Sequence, residues 1–309
     1  MRVLVTGATG FIGRALVPAL AREGHTVVAW VRSVARARDR LGAGIETVDA
    51  ASGRGGLTAG LERCDAVVNL AGEPLLGGRW TPARRASLHQ SRAGVTADLV
   101  SAIATARHRP GVLVSGSAVG YYGDRADEIL TEDSAPGSGF LADLCRDWEA
   151  EAGKAEALGL RVVLVRTGVV VGRDGGALAQ MLPAFRLGAG GPIGSGRQYL
   201  PWIHLHDLVA LVVVALDDDR WRGPVNGVSP KPVTSRDFAR ALGRALRRPA
   251  ILPTPALALR VLFGQAAAVL LASQRVVPAA LERLAFPFAF PALDAALADV
   301  LGGAERRGV

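Results

Sequence analysis

The stretch Val3-Leu4-Val5-Thr6-Gly7-Ala8-Thr9-Gly10-Phe11-Ile12-Gly13 decides the fold of this chain. Its apolar start reads as a buried strand, its middle as a glycine turn and its end as the opening of a helix. Three glycines at intervals of three let the backbone turn without Cβ clashes, bring it close to a ligand and seat the helix tightly on the strand. The N–H groups of the helix's first turn then face outward, and a pyrophosphate suits both their geometry and the helix dipole. Gly7, Thr9, Gly10, Phe11, Ile12 and Gly13 are therefore expected to contact a dinucleotide. The surroundings agree with that reading. A helix over Phe11 to Glu23 carries Ile12, Leu16 and Leu20 on one face, should bend at Pro18 and stops at Gly24, and a second strand covers Thr26 to Val31.

A chain of 309 residues can bury a large core, as an α/β unit carrying a smaller partner. Half of the residues are apolar, yet no run reaches membrane-spanning length: Pro255 to Ser273 is broken by Arg260, Gly264 and Gln265, and Leu208 to Leu216 is too short. A first strand beginning at residue 2 leaves no room for a signal peptide, so the cytoplasm is the expected compartment. Cys64 and Cys145 match no metal or redox spacing, and no disulfide is expected. The net charge of +8 rests almost wholly on scattered arginines, with only Lys154 and Lys231 beside them. No basic tract is interleaved with aromatics and no run is long enough to span a bilayer, so a small molecule is the expected partner, rather than nucleic acid or membrane. Homodimerisation stays open.

The second strand ends at Val31-Arg32-Ser33, where an NAD-binding fold usually sets a carboxylate against the ribose. A guanidinium there suits a 2'-phosphate through paired, charge-assisted bonds, so Arg32 and Ser33 point to NADP(H). Arg36, Arg38 and Arg40 read as a solvated helix face. A third strand, Ile45 to Val48, leads to Asp49, which meets either the adenine edge or solvent. The fourth, Ala66 to Leu70, is apolar throughout, as for a strand covered on both faces, and its small end Leu70-Ala71-Gly72 leaves room for the cofactor. A helix over Pro82 to Ala106 carries Arg92, assigned to the cofactor as is Ser115 at the end of the fifth strand, Val112 to Ser115. After the sixth strand, Val162 to Val165, the turn Thr167 to Val170 should pass under the nicotinamide. A helix over Ala177 to Phe185 precedes Gly188-Ala189-Gly190-Gly191-Pro192-Ile193-Gly194, where a substrate lid would be built. His204 and His206 lack the further ligands a metal needs. A helix over Asp207 to Leu216, a strand near Val225 to Val228 and a Thr234/Asp237 cap complete the pattern.

Taken in order, the glycine turn, Leu70-Ala71-Gly72, Ser117 to Asp124 with its Tyr121-Tyr122-Gly123, Arg166 to Gly172 and Trp202 to Leu208 resemble an extended short-chain dehydrogenase/reductase over nearly the whole chain. Glu73-Pro74, Arg79-Trp80, Ser91-Arg92, Trp148-Glu149, Gly190 to Gly194, Pro201 to His204 and the tail from Arg248 are similar to an atypical epimerase-like subfamily of unassigned substrate. The resemblance implies a Rossmann-type doubly wound parallel sheet over 1–170, rejoined by 203–228. The remainder, 171–202 and 229–309 with a family-specific segment at about 249–300, forms a smaller substrate-side domain.

The family mechanism does not transfer whole. The tyrosine of its Tyr-x-x-x-Lys pair aligns with Leu141 and the lysine with Cys145, when Glu149 is placed on the acid that follows that motif. Ser117 stands where the family serine would be, with Tyr121 and Tyr122 beside it, and either can replace the lost acid or simply wall the pocket. A tyrosine without a lysine titrates near 10 and is a poor base at neutral pH. The implied function is an NADP(H)-dependent oxidoreductase or epimerase-like enzyme acting through Ser117 and Tyr121 or Tyr122. The alternative that the resemblance implies is a non-catalytic NADP(H)-binding sensor or interaction protein, with a link to cell division.

Overall fold

Val3, Val5 and Val68 face one side of a sheet and Leu4 and Val67 the other, all fully buried, because helices cover both faces. The computed structural model describes residues 1–302. Its first half alternates β1 (Arg2–Thr6), α1 (Phe11–Arg22), β2 (Thr26–Val31), α2 (Val34–Leu41), β3 (Glu46–Asp49), α3 (Gly53–Leu61), β4 (Ala66–Asn69), α4 (Pro82–His89), α5 (Val95–Thr105) and β5 (Val112–Ala118). A short β6 (Ile129–Leu130), α6 (Phe140–Gly153), β7 (Arg161–Thr167), β8 (Val169–Val171) and α7 (Gly176–Arg186) follow. Then come β9 (Tyr199–Leu200), β10 (Trp202–His204), α8 (Leu205–Asp217), β11 (Gly223–Gly227), β12 (Val233–Thr234) and α9 (Ser235–Leu246). The chain closes with α10 (Ala256–Phe263), α11 (Ala268–Leu271), β13 (Arg275–Val276), α12 (Ala279–Arg283) and α13 (Leu293–Gly302).

Seven strands form one parallel sheet in the order β11-β7-β5-β4-β1-β2-β3. The winding reverses between β1 and β4, so the carboxyl ends of these two strands open a crevice of the kind that takes a ligand in doubly wound sheets. A further core gathers Leu178, Leu182 and Phe185 of α7, Trp202 of β10, Phe238 and Leu242 of α9, and Leu293 and Leu297 of α13. The division from the sheet is not a clean cut, since Ala280, Leu281 and Phe286 join the core beneath the sheet. Residues 303–309 of the expected substrate-side region lie outside the described residues.

Three local features refine the sequence pattern. The helix expected over Pro82 to Ala106 is interrupted by a π-helical turn at Gln90–Gly94. Helix α1 runs on through Pro18, which sits on its exposed side. Helix α8 starts at Leu205, because the His204 imidazole caps it by accepting from the His206 N–H.

Candidate active site

At the end of β1 the Thr6 hydroxyl donates to Asn69 Oδ1 at 2.7 Å and accepts from the Ala71 N–H at 3.1 Å, locking the ends of β1 and β4 together. Gly7 has φ +66°, and a Cβ there would lie 2.5 Å from the Leu70 carbonyl oxygen. A Cβ on Gly13 would lie 2.4 Å from the Gly7 carbonyl oxygen, so α1 approaches the turn only because that side chain is absent. The Gly10 N–H donates back to the Gly7 carbonyl at 2.9 Å, and Gly10, as N-cap of α1, offers no side chain to the N–H groups of the first helical turn. The cradle thus fits an anionic ligand of pyrophosphate shape. Phe11 contributes its backbone to this turn and sends its ring against Gly172, Gly175 and Gly176, which have room for it only as glycines. Ile12 is half-buried behind it.

Arg32 is exposed at the carboxyl end of β2, and Ser33 caps α2 by accepting from the Arg36 N–H at 3.3 Å. Arg40 donates to the Thr9 carbonyl at 3.2 Å, so one of the arginines read as a solvated face in fact braces the turn. Asp49 is exposed and occupied locally, accepting from the Ala51 N–H at 2.9 Å. Beyond β4, Gly72 lies against the Arg92 guanidinium, and a Cβ there would sit 3.2 Å from Arg92 Cζ. The π-helical turn places Arg92 so that it donates to the Glu73 carbonyl at 2.7 Å and lies 5.6 Å from the centre of the Trp148 ring. Burial pushes its guanidinium below the ordinary arginine value, against the pull of Cys145 and Glu73. A hydrogen bond from Ser87 holds the Glu73 carboxyl low, and Arg84 and Arg32 add to it.

Ser115 lies opposite Asn69 in the register of β4 and β5. It is fully buried, accepts from Asn69 Nδ2 at 3.3 Å and belongs to the internal Thr6–Asn69–Thr96 network beneath the crevice, not to its surface. Thr167 and Val170 are half-buried where β7 passes into β8. The glycine-rich segment expected as a lid is stitched down: Leu252 donates to the Gly190 carbonyl at 3.3 Å, Thr254 to Pro192 at 2.9 Å and Gly194 to Thr254 at 2.8 Å.

The polar centre behind the crevice is built from residues far apart in sequence. Ser117, at 4% exposure, donates to Glu149 Oε1 at 2.6 Å. Glu149 in turn holds Arg166 through two bonds of 2.8 Å, an ion pair almost wholly shielded from solvent. Arg166 donates onward to the Tyr122 hydroxyl at 3.0 Å and to the Glu132 carbonyl at 3.1 Å, and its guanidinium lies 3.5 Å from the centre of the Tyr121 ring. Burial alone would lower the Arg166 value, but Glu149 overrides it and raises it above that of an ordinary arginine.

Tyr122 has its hydroxyl committed within the protein. It is fully buried, its hydroxyl donates to Asn226 Oδ1 at 2.7 Å, and burial pushes its ionisation up to about 12 against the counter-pull of Arg166. Tyr121 is half-buried beside it, edge-on at 5.3 Å, and its hydroxyl makes no hydrogen bond among the described residues. The position of the missing tyrosine is apolar: Leu141 packs with Trp80, Phe140 and Phe263. Cys145 is buried on the same helix, its thiol pushed up to about 12 by burial and by Glu149. Sequence reading used Glu149 only to place the lost motif and passed over Glu132 and Asn226. A charged side chain closing the apolar strand β7 was the available signal, because Arg166 there demands a buried counter-charge.

Residues 3–226 match the NAD dependent epimerase/dehydratase family, and residues 254–300 match a domain of unknown function (DUF1731). The chain is 41% identical over 307 residues to the epimerase family protein SDR39U1 homolog, chloroplastic, of Arabidopsis thaliana, covering 97% of this chain and 87% of that protein. It is 43% identical to epimerase family protein SDR39U1 of Bos taurus, covering 97% of this chain and all of that one. Among solved structures, the human epimerase family protein SDR39U1 (isoform 2) with NADPH superposes with a TM-score of 0.88 at 39% identity, over 98% of this chain and 99% of that chain.

Proposed function

The chain belongs to the NAD dependent epimerase/dehydratase family, and from that premise we propose that it is an NADP(H)-dependent oxidoreductase or epimerase-like enzyme acting on a small carbonyl or sugar-derived substrate. The observation that carries the cofactor reading is the glycine cradle, in which Cβ atoms on Gly7 and Gly13 would collide with backbone, together with the exposed Arg32 where a 2'-phosphate would lie. The solved human relative contains NADPH. When bound, the nicotinamide supplies hydride transfer at its C4.

The chain's own contribution lies in proton placement. Glu149 holds the hydroxyl hydrogen of Ser117, so Ser117 presents lone pairs to a ligand and accepts from an N–H or O–H group. Tyr121, with its hydroxyl uncommitted, is the donor toward a substrate oxygen. Arg166 does not take the place of the family lysine, because its charge is already paired with the buried Glu149 carboxylate. The arrangement therefore favours protonation of a carbonyl oxygen over deprotonation of an alcohol. Leu141, Trp80 and Phe140 offer an apolar wall in place of the missing tyrosine.

Two measurements test this reading. Calorimetry is expected to give saturable NADPH binding that is stronger than NADH binding, with Arg32→Ala removing most of that preference; a preference for NADPH left unchanged in the variant overturns the assignment of Arg32. Across a panel of carbonyl compounds, Tyr121→Phe is expected to lower NADPH-dependent kcat by about 100-fold. Turnover unchanged in that variant would remove Tyr121 from the chemistry.

A further inference from the structure

Eight large apolar side chains are exposed among the described residues, and six of them, Leu187, Ile251, Leu252, Leu257, Val261 and Leu262, fall on two neighbouring segments. These segments are joined. Residues 190–194 bond to residues 252–254, with a parallel bridge between Ile193 and Thr254, and Pro255 then opens α10. On that helix Leu257, Ala258, Val261 and Leu262 share one arc, while Leu259 faces inward. The outward arc lines an open cavity of about 650 Å³ together with Arg79 and Pro255. Exposed apolar residues so concentrated mark a contact surface, unlike scattered ones.

The charged residues along these two segments and their immediate flanks have one sign. No aspartate or glutamate occurs between Asp174 and Asp207 or between Asp237 and Glu282. Arg186 adjoins Leu187, Arg247 and Arg248 precede the 249–255 segment, and Arg260 flanks the apolar arc of α10; all four are exposed. A second copy docked on this face through a two-fold axis would set one arginine-flanked surface against another of the same sign. Lipid phosphates offer the opposite charge, and a short helix with an apolar arc flanked by arginine lies readily at the boundary of headgroups and acyl chains.

We propose that the face formed by residues 187–194, residues 249–255 and α10 docks on an anionic lipid surface. The sequence reading excluded a membrane partner because no segment is long enough to span, and among the described residues no helix is long and apolar enough to cross a membrane. Lying on a surface needs no such helix. The inference does not depend on the cofactor assignment, since it involves none of the residues of the glycine cradle.

The test is flotation of the full-length protein with vesicles of phosphatidylcholine alone and with phosphatidylglycerol added. Binding to the mixed vesicles only, released by raised salt, is the expected result. Arg248→Glu with Arg260→Glu should weaken it about tenfold or more, and Leu257→Ser with Leu262→Ser should weaken it at unchanged net charge. Arg107→Glu with Arg109→Glu, the same change of net charge on a distant exposed turn, should not. Unchanged melting and NADPH affinity show that the variants are folded, and the arginine pair reports even if the serine pair is not. Absence of binding to the mixed vesicles overturns the proposal, as does equal weakening by both arginine pairs. So does a dimer in light scattering that Leu257→Ser with Leu262→Ser disperses.

Discussion

Tyr122 ties its own segment to two others, through a 2.7 Å bond to Asn226 on β11 and a 3.0 Å bond from Arg166 on β7, with its ring edge-on to the neighbouring Tyr121. Tyr122→Phe leaves two buried polar groups each short of a partner, and a loss of about 1–3 kcal/mol in unfolding free energy is expected from denaturant titration. An unchanged midpoint would contradict the structural role. His204 makes a second prediction, in pH. Burial lowers its pKa below 6.5, with Asp299 and Asp207 pulling the other way, and its ring lies 4.0 Å from that of Phe290. A base whose pKa falls on folding holds its proton less tightly when folded than when unfolded. Its contribution is therefore intact above about 6.5 and is lost as pH falls from there through the lower folded value. Melting temperature measured between pH 7.5 and 5 should drop, and His204→Asn should flatten that slope while lowering the whole curve through the lost stacking.

At the scale of elements, what was legible in the residues is what local physics decides. The strands β1, β2, β4 and β5 announce themselves as apolar runs, and the turn after β1 as glycines whose spacing matches a backbone approach. Gly13→Ala puts a methyl group on the Gly7 carbonyl, so it is expected to push α1 off β1 and to weaken NADPH binding by at least about tenfold in calorimetry. Affinity equal to that of the unmodified protein would mean that the cradle is not the phosphate site. Elements set by tertiary contact were not legible. The π-helical turn at Gln90–Gly94 has no signature in composition, yet it aims Arg92 at Gly72. Ser115 looked like a site residue because it ends a strand, but its side chain turns into the Asn69 network. The pairing of Glu149 with Ser117 and Arg166 joins residues 32 and 17 positions apart, and only the packing of α6 across β5 and β7 brings them together.

For the whole molecule, the decisive joint is between the sheet and the C-terminal segment. Asp207, 1% exposed at the start of α8, accepts from the backbone N–H groups of Ala289 and Phe290 at 2.9 and 3.0 Å. The same segment sends Phe286 under the sheet and carries α13 onto α9, so one carboxylate sets the register of a stretch that links two cores. Hydrogen bonds to a buried carboxylate are worth about 1.5–3 kcal/mol each, and their loss strands two buried donors. Asp207→Ala should therefore cost several kcal/mol in total, but the loss should not be spread evenly. The glycine cradle is built from β1, α1 and the end of β4, none of which contacts Asp207 through a hydrogen bond, so NADPH affinity should survive at temperatures where the variant remains folded. The 285–292 connection should meanwhile become the first site cut in limited proteolysis. Cleavage within the sheet before that connection would mean that the C-terminal segment is held by its apolar contacts alone, and that Asp207 serves only to start α8.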